Sequence, residues 1–433
     1  MDAAPEREAA PRPWRTALGS RFAALRQPNF RLFWTGHAVS VVGTWMQNVA
    51  LFWLVYRLTD SPFLLGLLGV ALFLPVSVLS LVGGVVADRA DRRALVRTTQ
   101  ALHLAQAAVL GGWVWFGEPT PEGVLALAFA QGCINAFDFP GRQSFISELV
   151  PPSDLPNAIA LNSMAFNGAR LVGPAIGGLV LSAFGEVPCF LLNAVSYLPM
   201  LWNLRRIRLP ARPPAEHEPV LRTLGEGMHY AFTTPRLRNL LILLGLVGTL
   251  GFQYVVLLPV YAGKILQSGP RGYGLLMAAA GVGSLTAFVR LTSTLDRPAM
   301  RRSLLVGLLA LGGGLIAFSF SRVYLLSLAF SLFVGMGMIL YSATTNMMIQ
   351  TAVKDEFRGR VMSLFTLMLV GTSPVGSFVM GWLADRFGAP NATRIAGVTC
   401  ILGAVWVVHR LRVLAREELA AAESETTSVL NAS

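Results

Sequence analysis

Apolar residues run in stretches of about twenty between short polar breaks along most of the chain. A bilayer core takes about 20 apolar residues per helix. The pattern therefore predicts twelve spanning helices, at roughly 30–56, 62–87, 94–116, 122–142, 157–184, 187–204, 238–262, 273–293, 303–321, 323–347, 359–384 and 393–411. The fifth and sixth are parted by Phe184-Gly185-Glu186-Val187-Pro188, the ninth and tenth by little more than Phe320-Ser321-Arg322. The expected fold class is an all-α polytopic membrane protein.

The pattern also repeats. Pro28-Asn29-Phe30-Arg31 returns as Pro235-Arg236-Leu237-Arg238, Gly66-Leu67-Leu68 as Gly274-Leu275-Leu276 and Asp88-Arg89 as Asp296-Arg297, all at nearly one offset; Pro174 and Pro374 are a looser pair. The longest polar break carries Pro210, Pro213, Pro214 and Pro219 and follows the sixth span. Two pseudo-symmetric six-helix bundles are expected, at 29–204 and 238–412. A linker at 205–237 joins them, and tails flank them at 1–28 and 413–433. Parallel repeats of this kind are a transporter architecture that rocks around a central site.

Composition agrees: 54% of the 433 residues are hydrophobic and 13% charged, against about 25% charged in soluble domains. With both termini placed in the cytoplasm, the opposite face holds only Arg57, Lys264, Arg271, Arg322, Arg386 and Arg394 of the 35 basic residues, and Arg170 lies within a span. This positive-inside bias fixes the expected orientation. It also accounts for the +12 net charge without a nucleic-acid partner. Residues 1–28 hold Arg7, Arg12, Arg15 and Arg21 and no signal-peptide core, so the first span is expected to act as its own targeting signal.

Cys133, Cys189 and Cys400 are too scattered for a disulfide framework or a metal motif. His37, His103, His217, His229 and His409 form no cluster, and no Gly-Lys-Ser/Thr phosphate loop is present. Neither an enzyme nor an ATP-driven pump is expected, and no metal or cofactor.

Three stretches carry candidate chemistry. Gly84-Val85-Val86-Ala87-Asp88-Arg89-Ala90-Asp91-Arg92-Arg93 stands between the second and third spans, where an acid and arginines can pair with neighbouring helix ends. It resembles the loop signature of the major facilitator superfamily, Gly-x-x-x-Asp-Arg-x-Gly-Arg-Arg, with Asp91 where the family usually has Gly. Gly84, Asp88, Arg89, Arg92 and Arg93 are thus expected to form a gating latch. In the family an acid at the inner end of the fourth span pairs with this latch. That would place Asp138 on Arg92, whereas spacing alone equally pairs Asp138 with Arg142 at i, i+4.

In the fifth span Arg170-Leu171-Val172-Gly173-Pro174-Ala175-Ile176-Gly177-Gly178 resembles the superfamily's antiporter signature, and Gly173 and Gly177 also suit plain close packing. Arg170 is costly at that depth; binding an anionic substrate group and locking helices through carbonyls and Asn167 are both open. The stretch from Ala136 to Pro151, continued by Asn157-Ala158 and Ala160 to Ser163, is similar to the branch holding the enterobactin exporter, macrolide efflux proteins and transmembrane secretion effectors. The resemblance, clearest over 28–185, implies a bacterial inner-membrane carrier. It would export a small amphipathic or lipophilic molecule by alternating access and proton-coupled antiport. Lysophospholipid or lipid-precursor flipping is the alternative.

Polar residues recur on spans one, four, seven and ten, the superfamily's cavity-lining helices: Gln47 and Asn48, Gln131 and Asn135, Gln253 and Tyr254, and Tyr341 with Thr345 and Asn346. Together they predict a polar, aromatic-rimmed substrate cavity near the midplane, although interhelical hydrogen bonding suits any one of them. His37 and Asp138 are the candidates for proton coupling. The expected partners are a small molecule, the lipid bilayer and a proton, with the chain acting as a monomer.

Overall fold

The computed structural model describes residues 22–209, 220–291 and 297–432. The tail before residue 22, the proline-rich part of the linker and Asp296 of the repeated turn lie outside those residues. Six long helices form the first half: α1 (Pro28–Thr59), α2 (Pro62–Arg89), α3 (Arg92–Phe116), α4 (Pro121–Leu149), α5 (Leu155–Phe184) and α6 (Glu186–Arg206). A helix over Val220–Thr233 follows within the linker. The second half holds α7 (Pro235–Ile265), α8 (Gly269–Leu291), α9 (Arg297–Phe320), α10 (Tyr324–Ala352), α11 (Asp355–Phe387) and α12 (Ala389–Ala432).

Ten of these are long and apolar enough to cross a membrane; α3 and α4 are as long but more polar. The reason lies in what those two carry, namely Thr99, Gln100, His103, Gln106, Gln131 and Asp138, all buried. Apolar side chains such as Val78, Phe288, Leu402 and Val405 are instead exposed, the inversion expected when lipid is the solvent.

Helix ends follow local chemistry. Proline in the first turn opens α1, α2, α4, α5 and α7, where a missing N–H costs nothing. The Ser61 and Thr120 side chains accept from the backbone amides of Leu64 and Gly123 at 3.3 Å, capping α2 and α4. Most helices overrun the predicted spans by a few residues. The largest differences are α4, which continues through Pro140 to Leu149, and α12, which runs on to Ala432.

The halves share one packing plan. α2 packs on α4 and α3 on α6 in the first; α8 packs on α10 and α9 on α12 in the second. Across the seam α2 meets α11 and α5 meets α8, contacts that exchange under the repeat. The end of the bundle with the α2–α3 turn and the linker is called the near end, the other the far end.

Candidate functional site

At the near end, Asp91 Oδ1 accepts from the backbone amides of Arg93 (2.9 Å) and Ala94 (3.2 Å). The acid that stands where the signature has glycine is therefore the N-cap of α3. Arg92 is 3.8 Å from Asp88, donates from Nη1 to Glu148 (2.8 Å) and from Nε to the Ala87 carbonyl (3.3 Å), and so ties the end of α2 to the end of α4. Arg93 donates to the carbonyls of Leu204 (2.7 Å) and Arg205 (3.0 Å), closing α6. Arg89 is exposed. A side chain at Gly84 would meet open space, and it is Gly83 that presses on the Ala136 carbonyl.

Asp138 does not meet Arg92. Because α4 runs to Leu149, Asp138 lies three turns, about 16 Å, from its end. The acid that meets Arg92 is Glu148 in the last turn of α4, which the sequence analysis did not single out. Asp138 is 1% exposed and pairs with Arg142, Nε to Oδ2 2.7 Å, an ion pair whose N–H does not point along the contact. Its Oδ1 accepts from Thr99 (2.6 Å) and Gln100 (2.9 Å).

Arg142 Nη1 lies 2.8 Å from His37 Nδ1, and the His37 ring stacks on Phe33. The two proton-coupling candidates are thus joined through one guanidinium. His103 stacks on Tyr197, whose hydroxyl is 2.8 Å from that of Thr44. Thr99, His103 and Gln106 were legible as a polar stripe at helical spacing; that Thr99 meets Asp138 while Gln106 meets Gln47 was not.

Most of the predicted cavity residues lie inside the bundles. Gln47 donates to Gln106 (3.0 Å) and Gln131 (3.2 Å) and accepts from Asn193 (2.8 Å). Gln131 donates in turn to Asn48 (3.3 Å). These amides join α1, α3, α4 and α6, the packing alternative, while Asn135 is half-buried within reach of His103. Gln253, the repeat partner of Gln47, donates to Ser373 (3.1 Å) and accepts from Ser377 (3.1 Å). Tyr254 and Tyr341 are buried edge-on to Phe318 and Phe252. Asn346 alone of the nine lines a cavity of about 430 Å³, with Phe288, Leu291, Ser342, Ala343, Met347, Phe365 and Leu369.

The seam closes at the far end. Cβ atoms built on Gly66 and Gly178 would stand 2.9 and 2.7 Å from the Cα atoms of Gly381 and Gly274, so only glycine permits these crossings. Trp53 stacks on Tyr273 at 6.3 Å, and Asp60 accepts from Lys264 at 3.3 Å. Gly173 and Gly177 seat α5 against Trp45 and Met46 of α1, while the carbonyl of Pro174 faces Gly274.

Arg170, half-buried, reaches across the seam: Nη2 is 3.1 Å from Met338 Sδ on α10, and its guanidinium is 6.0 Å from the Trp45 ring centroid. Asn167 donates to the Ser163 carbonyl instead of holding Arg170.

Comparison with known proteins gives consistent relatives. The family described as transmembrane secretion effector matches residues 19–431. The staphyloferrin A transporter of Staphylococcus aureus is 25% identical over 90% of this chain and 98% of its own. The multidrug efflux pump Tap of Mycolicibacterium fortuitum is 26% identical over 82% and 88%, and macrolide efflux protein A of Streptococcus pyogenes 23% over 89% and 97%. Among solved structures, a bacterial homologue of the lysosomal transporter Spinster, inward-facing and unoccupied, superposes with a TM-score of 0.67 at 14% identity, covering 93% of this chain and 96% of that one. That likeness concerns the fold.

Proposed function

The chain belongs to the transmembrane secretion effector family of major facilitator transporters, and from that premise we propose that it exports a small amphipathic or lipophilic molecule, of drug or siderophore type, across the bacterial inner membrane. The observation that carries this reading is the asymmetry of the seam. Two repeat-related glycine crossings close the far end, while a cavity of about 430 Å³ lies toward the near end between α8, α10 and α11. Substrate enters from the near end, the cytoplasmic one by the arginine bias. Release follows when the glycine crossings part and the near ends swing together.

Coupling to protons is supported by the His37–Arg142–Asp138 chain. Protonating Asp138 removes the charge that holds Arg142, so the proton is linked to the position of α4 against α1 and α3. The latch at Asp88 and Arg92 sets how readily the near end closes. The relatives named for siderophore, multidrug and macrolide transport support export of an amphipathic cargo, and the chain acts as a monomer.

A transport screen in everted membrane vesicles, with and without an imposed pH gradient, tests this. Wild-type protein is expected to accumulate at least one macrolide, siderophore or lipophilic dye with the gradient on, Asp88→Asn to slow it, and Asp138→Asn to remove its gradient dependence. Full-rate export by Asp88→Asn at normal membrane levels would sink the gating role. Transport of lysophospholipid alone would convert the reading to a flippase.

A further inference from the structure

Arg142 and Arg170 both lie well inside long helices of the first half, and the structure treats them oppositely. Arg142 has a carboxylate at 2.7 Å and a histidine at 2.8 Å. Arg170 has a thioether, Met338 Sδ at 3.1 Å, and an indole ring at the limit of cation–π range. Among the described residues no Asp or Glu stands within ion-pair distance of it. Thioether sulfur is a weak acceptor, and no carboxylate among the described residues neutralises this cation. A charge at mid-membrane depth is costly and persists where it serves a pathway.

Its position adds to this. Arg170 sits on α5 and touches α10 of the other half. Met338 is four residues, one turn on the same helix face, from Ser342 in the cavity wall. Trp45 and Phe166, packed edge to face at 6.0 Å, supply aromatic surface beside the guanidinium.

We infer that Arg170 is the anion-binding residue of the transport site, and that the cargo carries a carboxylate or phosphate on an aromatic or acyl body. The inference rests on the export reading above. The planar fork of arginine suits two-point contact with either oxyanion, and the surrounding rings and methionine suit the apolar body. Binding would neutralise the seam where the two halves touch, so that cargo itself lowers the cost of moving α5 past α10.

Two xanthene dyes of opposite charge, carboxyfluorescein and rhodamine 6G, test this by fluorescence anisotropy on the purified full chain in maltoside micelles. Wild-type protein is expected to prefer carboxyfluorescein. Arg170→Gln should weaken that binding about tenfold or more, the loss of one charge-assisted contact, and leave rhodamine 6G and the unfolding temperature unchanged. Should Arg170→Gln fail to fold, Arg170→Lys keeps the charge without the fork and is expected to weaken carboxyfluorescein severalfold. Displacement of the dye by oleoyl lysophosphatidic acid assigns the anion to a lipid head group; displacement only by 1-naphthoate assigns it to a soluble carboxylate. The inference is overturned if wild-type protein binds rhodamine 6G as tightly as carboxyfluorescein, or if the folded variant holds carboxyfluorescein within twofold of wild type. Arg170-dependent binding without dye movement in everted vesicles would instead overturn the export reading and leave the anion site standing.

Discussion

The two halves descend from one pattern but solve their interiors differently. In the first half, buried polarity is amide and charge: Gln47, Gln106, Gln131 and Asn193 bond to one another, and Asp138 and Arg142 form an ion pair supported by Thr99, Gln100 and His37. Its six helices are continuous α-helix. In the second half, buried polarity is mostly hydroxyl and phenol, from Ser327, Ser331, Thr344, Ser377, Tyr254 and Tyr341. Two of its helices are irregular. α7 passes through a 3₁₀ stretch at Phe252–Leu257 and a π stretch at Tyr261–Ile265, and α11 through a π stretch at Leu367–Gly371. Such segments often mark functional sites, and Leu369 of the last one lines the cavity. The contrast divides the halves: the first is regular and holds the buried ion pair, the second is locally irregular beside the cavity.

The most severe way to break this contrast is to remove a charge from the first half. Asp138→Ala strands Arg142 in the interior and should cost about 3–5 kcal/mol, read as thermal unfolding in detergent. Adding Arg142→Met should recover most of it. A single variant as stable as the parent would mean that the ion pair does not stabilise this half.

Next come the seam glycines, which probe what the halves have in common. Gly66→Val and Gly274→Val each push a side chain into a backbone crossing, an overpacking cost of about 1–3 kcal/mol. Both should open the far end, read as faster labelling of a cysteine placed at Phe63. An effect from only one of them would show that the repeat-related crossings are not equivalent.

Smaller and more diagnostic is the pair Gln47→Leu and Gln253→Leu. The first deprives three amides of a partner and should cost about 1–2 kcal/mol; the second deprives two hydroxyls and should cost nearer 0.6 kcal/mol, the usual worth of one interhelical bond in a membrane. Equal effects would erase the difference between the halves. The smallest effect is expected from Glu226→Ala, which removes the exposed pair with Arg360 (2.7 Å) between the linker helix and α11. It should change stability by less than about 1 kcal/mol.

Much of the fold was legible because lipid imposes a coarse rule. A helix must be apolar for about 20 residues, and long apolar runs are hard to mistake. The predicted fourth span stops at Arg142 because the apolar run thins there, yet α4 continues to Leu149 with Asp138 and Arg142 paired inside it. Of the candidate site, Arg92 and Arg93 stood out through a local signature, but Glu148 did not, since nothing in its own neighbourhood distinguishes it from any acid at a helix end.

By itself, the sequence determined that the solvent is a bilayer, that the chain is two repeats, and which end carries the arginines. These are properties of runs and counts, which survive without knowledge of neighbours. Only the tertiary structure decided which polar groups face one another. Gln47 and Gln131 became internal glue, Asp138 turned to Arg142, and Arg170 was left at the seam with a methionine. The physical reason is that a helix fixes only which face a side chain occupies, while its partner is set by the crossing of helices far apart in the chain.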